Sequence, residues 1–528
     1  MAPTPREKMA HHGHRADDSI SSSPPSTSST LPHDGHGKAV AGRGDFDEAF
    51  LYLDRKDQQH GELDGLYTAA LRHRIDWRIV PIMFACYTMQ FLDKVLLNYA
   101  AVMGLNKDLK LKGNDFSNAA TAFFIAYLVA EVPNGFFLQK ISAAKWLGAN
   151  VMLWGIATAA TAAAHDYSTL LVGRIFLGIF EAAIAPSLML ISSQWYTKSE
   201  QAPRFSFWYC GLGLAQVLGG VCSYGFQMVE HPTFAGWRIM FLAVGLLTVC
   251  IGLATLLILP DSPMKASFLS ESHKVALLRH VSINQTGIEN KQFKPAQLLE
   301  LVLDPQIWLM TLMTILISIS SGVITTYSAT LIKNFGFSSP VAALLNMPSG
   351  LVSVASTLAV GLGVRRTSHR WAWIIVCCVP GILGGGLMSF APASNRAALL
   401  AGLYLVNAIV ATLTVIYQWT VANCAGSTKR VFASALIAGS FSVGNIIGPQ
   451  TFQAKDAPQY IPAKITVLAT QAAAAGVALC LFLYYVYANR CKDRARGTQV
   501  GKGLAANPGV ECWTNQTDRE NVNFRYVY

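Results

Sequence analysis

Apolar runs of near-constant length recur along this chain, separated by short polar punctuation. They fall near 79–103, 117–139, 146–164, 168–194, 203–226, 237–259, 307–332, 340–362, 371–391, 397–421, 430–452 and 463–488. Each approaches the roughly 20 residues that a helix needs to cross a bilayer. Backbone in hydrocarbon must satisfy its own hydrogen bonds, so each run is predicted to be helical. The expected fold class is an all-α membrane protein with twelve transmembrane helices. One long polar segment, 260–306, opens with Pro260-Asp261-Ser262-Pro263 and divides the spans six and six. The predicted organisation is a polar, disordered tail over 1–73, a first half over 74–259, a central loop over 260–306, a second half over 307–488 and a second tail over 489–528.

An internal repeat supports that division. A shift of 225 positions brings Lys145-Trp146 onto Arg370-Trp371, Lys140 onto Arg365, Arg204 onto Lys429 and Gly219 onto Gly444. Two parallel halves of six spans are one way in which transporters are built.

Composition agrees with the pattern. Charged residues are 13% of the chain, against about 25% in soluble domains. Hydrophobic residues are 52% and the mean hydropathy is +0.35. The net charge of +11 does not point to nucleic acid, because Lys and Arg cluster in short loops between apolar runs. Lys140, Lys145, Lys198, Arg204, Arg365, Arg366, Arg370, Lys429, Arg430 and the basic residues after Arg490 share one side with the central loop. The positive-inside rule makes that side, and both termini, cytoplasmic. No signal peptide precedes the first span, because 1–43 lacks an apolar core. Most of the 10 Cys lie within or beside spans, and none has metal-ligand spacing. No cofactor or metal is expected. P-loop, HExxH and GxSxG motifs are absent, which argues against an enzyme or a nucleotide-driven pump.

Ionisable residues inside a span are costly and usually serve a pathway or a pair. The first span contains Asp93-Lys94, and the fourth contains Arg174 and Glu181. Arg174, Gly178 and Glu181 share one helix face by their spacing. Gly178 leaves room for a backbone or a substrate between the two charges. Lys94 and Arg174 are read as attracting an anionic substrate, and Glu181 as the proton carrier with Asp93 as alternative. The structural alternative is a static Asp93–Arg174 or Lys94–Glu181 pair. Glu131, just before Pro133, is expected to end the second span beside Lys140, where both residues have a structural or gating role. Tyr327, Asn346, Asn407, Tyr417, Gln418 and Asn445 are polar groups of the second half that can orient a ligand in a central cavity. Glycines of the fifth and eleventh spans, including Gly213, Gly219, Gly439, Gly444 and Gly448, fit tight crossings at a moving interface.

The same residues give a resemblance. Arg74-Ile75-Asp76-Trp77-Arg78, Phe91-Leu92-Asp93-Lys94, Tyr99-Ala100-Ala101, Glu131-Val132-Pro133-Asn134, Lys145-Trp146 and Gly173-Arg174 through Glu181-Ala182 are part of it. Asn423, Gly426, Thr428-Lys429-Arg430, Gly444-Asn445-Ile446-Ile447-Gly448-Pro449-Gln450 and Ala457-Pro458-Gln459-Tyr460 complete it. The chain resembles the major facilitator superfamily, within it the fungal allantoate-permease group of anion:cation symporters. That resemblance implies a fungal source and proton-driven transport of a small organic anion such as a ureide, a vitamin carboxylate or a short peptide. Its basic first-span residue falls on Lys94, and its fourth-span Arg and Glu on Arg174 and Glu181. Two departures stand out: the superfamily loop motif with Asp-Arg-x-Gly is reduced to Asn134-Gly135 through Lys140, and the seventh span lacks the Arg of animal members.

The expected protein is a monomeric plasma-membrane symporter whose partners are protons, a small anion and lipid. Export of a secondary metabolite is the alternative direction. A non-transporting nutrient receptor is the alternative class, and the moderate tails argue against it.

Overall fold

The computed structural model describes residues 49, 52–53, 67–112, 115–227, 234–284, 293–337, 341, 344–392, 394–451, 461–501, 515–521 and 523–528. The described residues fold almost entirely as helix. The first six spans are Ala69–Val102, Asp115–Lys140, Ala143–Thr161, the pair Tyr167–Glu181 and Ile184–Trp195, the pair Lys198–Tyr209 and Gly211–Gln227, and Gly236–Ile258. The second six begin with Pro305–Asn334, Met347–Thr367 and Arg370–Phe390. The tenth joins Arg396–Val406 through a short 3-10 turn to Val410–Asn423, and Ser427–Gln450 and Ile461–Gly501 follow.

Eleven of these spans are long and apolar enough to cross a membrane. The third, Ala143–Thr161, is the twelfth, and its low hydropathy has a packing cause. It is built from Ala, Gly and Thr so that its backbone can touch the sixth span. A Cβ on Gly155 would lie 2.7 Å from the Val249 nitrogen, and one on Gly245 would lie 2.4 Å from the Ala159 nitrogen. Small residues at such crossings gain van der Waals contact that bulky side chains would prevent.

The 225-residue offset marks helix starts as well as loop charges: Gly236 and Ile461 open the sixth and twelfth spans. The central segment is more ordered than a plain loop. It holds helices Glu271–Ser282 and Pro295–Val302, and buries Val275, Leu277, Leu278 and Leu301. The expected tail from 489 is also partly folded. The twelfth helix continues to Gly501, and 515–528 returns to pack with Phe524 and Tyr526 buried.

The two halves touch closely at the side that carries the tails. The Gln139 amide donates to the Thr428 hydroxyl at 2.8 Å. Arg370 and Gln418 both donate to the Lys198 carbonyl, at 3.3 and 3.2 Å. In the fifth and eighth spans, Gly213 and Gly350 let two backbones meet, since a Cβ on either would sit within 2.5 Å of the other's carbonyl oxygen. Of the glycines expected at a moving interface, Gly213 and Gly439 face the other half, whereas Gly219, Gly444 and Gly448 pack tightly within their own.

Candidate functional site

The fourth span breaks where its chemistry lies. Helix Tyr167–Glu181 ends at the carboxylate, a two-residue turn follows, and helix Ile184–Trp195 resumes. Pro186 lacks the N–H that the Ala182 carbonyl would need, so the ladder is interrupted there. An Asp166 capping box starts the span. Gly178 lies against the second span, where a Cβ would stand 2.4 Å from the Phe123 carbonyl. Its space is taken by backbone.

The charged residues of the first and fourth spans meet beside that crossing. The Lys94 ammonium contacts the Glu181 carboxylate, and both side chains are buried. The ammonium also lies 5.1 Å from the Phe91 ring, 5.8 Å from Tyr127 and 5.5 Å from Phe441 of the second half. Aromatic faces attract a cation through their quadrupole. Asp93 points the other way. It accepts from the Trp154 indole at 2.9 Å and the Thr158 hydroxyl at 3.1 Å.

Arg174 differs from the other three. It is only 3% exposed, and its Nε and Nη2 have no hydrogen-bond partner among the described residues. Its guanidinium stands 5.8 Å from the Phe241 ring. A buried cation without a bonded anion is costly. Both Lys94 and Arg174 line a cavity with Asn98, Phe116, Phe123, Phe124, Thr325, Phe441 and Asn445. Its wall draws on both halves, on the side of the closed contacts away from the tails.

The sequence-predicted residues divide accordingly. Lys94, Arg174 and Asn445 line the cavity, and Asp93 and Glu181 lie buried behind it. Asn445 donates to the Phe441 carbonyl of its own helix at 2.8 Å. Asn407 is fully buried at the bend of the tenth span and donates to the Leu403 carbonyl at 2.8 Å. Asn346 immediately precedes the helix of the eighth span without a side-chain capping bond, and Gln418 is drawn to the tail side by Arg370. These three are not among the cavity-lining residues. The side chain of Tyr327 lies outside the described residues. Lys140 ends the second helix in an exposed position, whereas Glu131 does not end it. The helix accommodates Pro133 and runs on, which leaves Glu131 well inside and 3% exposed.

Sequence reasoning missed the phenylalanines, which in an apolar run read as lipid-facing. It also missed Trp154 and Thr158. Their spacing of four on a span poor in large aliphatic residues was the available signal.

Comparisons with known proteins follow the same outline. Residues 83–449 match the family model described as Major Facilitator Superfamily. The chain belongs to the major facilitator superfamily. Within the superfamily, it is 39% identical to the "Thiamine pathway transporter THI73" of Saccharomyces cerevisiae, over 86% of each chain. It is 30% identical to the "Allantoate permease" of the same yeast, over 87% of this chain and 86% of that one. It is therefore a multi-pass membrane transporter of the fungal allantoate-permease-like group, and not an enzyme. The solved proton:xylose symporter XylE shares the fold with a TM-score of 0.64, at 14% identity, over 77% of this chain and 95% of that one.

Proposed function

We propose that this major facilitator is a proton-coupled symporter of a small organic anion, working as a monomer by alternating access. The observation that supports it most is Arg174, a buried guanidinium with unused donors beside a cavity. An entering carboxylate meets Arg174 and competes with Glu181 for Lys94. Once displaced, Glu181 takes a proton, so that no uncompensated carboxylate is left in hydrocarbon. The state described is closed on the tail side, with the cavity on the opposite side. The Lys and Arg distribution supports placing the tails in the cytoplasm and the cavity toward the outside of the plasma membrane, which makes import the natural direction.

The test is radiolabelled uptake in a permease-deficient yeast, run across ureides, vitamin carboxylates and short peptides with and without a protonophore. Arg174→Gln is expected to weaken uptake by ~30-fold or more, the equivalent of about 2 kcal/mol for one lost buried charge contact. Uptake that ignores the protonophore overturns proton coupling. An unchanged KM in Arg174→Gln overturns the anion site.

A further inference from the structure

One buried acid has no part in the cycle so far. Glu131 of the second span is 3% exposed. No described cation pairs with it, and its carboxyl oxygens make no well-formed hydrogen bond, although the Tyr127 phenol lies within hydrogen-bonding reach of them. Gly439 of the eleventh span faces it: a Cβ there would stand 3.7 Å from the Glu131 Cγ. Glu131 therefore lies where the two halves meet. A lone carboxylate in that setting is far costlier than a neutral carboxylic acid, so the closed state requires Glu131 to hold a proton.

Its neighbours connect it to the cavity. Tyr127 precedes it by one helical turn, on the same face. The Tyr127 ring also stands 5.8 Å from the Lys94 ammonium that pairs with Glu181. The Tyr127 phenol is within electrostatic reach of both Glu131 and Glu181. Among the described residues, Tyr417 of the tenth span is a further titratable group within electrostatic reach of Glu131. Asp93 is tied to Trp154 and Thr158, and Arg174 lies on the cavity wall. Tyr127 is thus a hydroxyl within reach of both carboxyl groups.

We infer that Glu131 is the inner proton station of the transporter, with Tyr127 as the relay from Glu181. This rests on the proton-symport reading above. With the tail side closed, Glu131 is protonated and Glu181 is ionised against Lys94. The substrate anion displaces Glu181, which takes one proton from the cavity side. When the halves part on the tail side, Glu131 meets water and its O–H bond breaks, releasing that proton. The Glu181 proton then passes to the Tyr127 oxygen as the Tyr127 proton passes to Glu131. Glu181 is again an anion, recovers Lys94 and expels the substrate. One proton has crossed with one substrate anion, and Glu131 is neutral when the halves close.

The first measurement is infrared difference spectroscopy of the purified full-length protein at pH 7. Wild type is expected to show a protonated-carboxyl C=O band that shifts in D2O and is absent in Glu131→Gln. A band unchanged in Glu131→Gln overturns the inference whatever the substrate proves to be. The second measurement uses proteoliposomes and radiolabelled allantoate, comparing net uptake down a proton gradient with exchange at equal pH. Glu131→Gln and Tyr127→Phe are expected to lose net uptake by at least ~10-fold and to retain exchange, with partial recovery in Glu131→Asp. A parallel fall of both activities shows a merely structural role and overturns the relay. Should allantoate not be carried, the infrared band decides alone. Should wild-type uptake ignore the protonophore while the band is present, the symport reading fails and the protonated Glu131 stands.

Discussion

The two halves share a backbone plan and place their buried charge in different layers. In the first half, Asp93, Lys94, Arg174 and Glu181 lie deep within their spans. In the second half, the buried charges gather at the tail side around Lys429. Its ammonium lies 2.7 Å from a carboxylate oxygen of each of Glu300, Asp304 and Asp518. The repeat explains part of this. The position matching Lys429 is Arg204, which holds Asp76 at 2.6 Å at the same end of the first half. Each half therefore ties its first span or the segment entering it to its fifth by ion pairs at the rim. Among the described residues, only the first half adds a second charged layer in mid-membrane. On the function proposed above, the rim pairs serve the fold and the inner layer serves transport.

Three experiments can break or sharpen that division. The largest effect is expected from a paired test. Lys429→Met strands buried carboxylates and should cost about 3–5 kcal/mol of stability, read as lost thermal stability in detergent. Glu181→Gln should abolish proton-coupled uptake and leave surface expression intact. If Lys429→Met is stable but inactive, or Glu181→Gln is unstable, the two layers do not divide in this way. Next is Gly178→Val, which drives a side chain into the Phe123 carbonyl. It should cost roughly 1–3 kcal/mol by overpacking and lower uptake by shifting Arg174 against Glu181. Gly225→Ala, with nothing within 4 Å of the added Cβ, is the control.

The smallest effect concerns a rim pair of the first half, between Lys145 at the start of the third span and Asp261 outside the spans. Burial pushes the Asp261 carboxyl up, but Lys145 and the Ser142 hydroxyl outweigh it and hold the group below the usual carboxylate range. Its folded value lies below its unfolded one. Its stabilisation is therefore complete above the unfolded value and is lost as pH falls through the folded one. Lys145 is largely exposed, so the contribution is small. Thermal melts of Asp261→Asn should converge on wild type only at the acid end. A gap that persists there would assign the effect to packing.

The fold was legible because a bilayer imposes one length on every span, and that length shows in the runs from Ile79 to Ala488. The third span shows where hydropathy weakens: helix contact selected Gly148 and Gly155 over larger apolar residues. The inner charges were legible one by one, since Asp93, Lys94, Arg174 and Glu181 interrupt apolar runs. Their pairing was not. Either cation can face either carboxylate on spacing alone, and Trp154 from a third helix decides where Asp93 turns. Lys429 was read as a loop charge marking one side. Its burial depends on Asp518, a residue 89 positions away in a segment whose polar composition resembles a solvated tail.

That returning segment gives the chain an order of assembly. The Trp419 indole and the Asn423 amide donate to the Val527 carbonyl at 2.7 and 3.0 Å, and the Arg370 amide to that of Tyr528 at 2.7 Å. Tyr526 donates to Asp518 at 2.6 Å. Until these residues are synthesised, Lys429 lacks one of its three carboxylates and the ends of the ninth and tenth spans lack acceptors. The second half can enter the membrane before then, but its rim is completed only once residues 515–528 have been made. A chain cut before residue 515 would leave that surface unfinished.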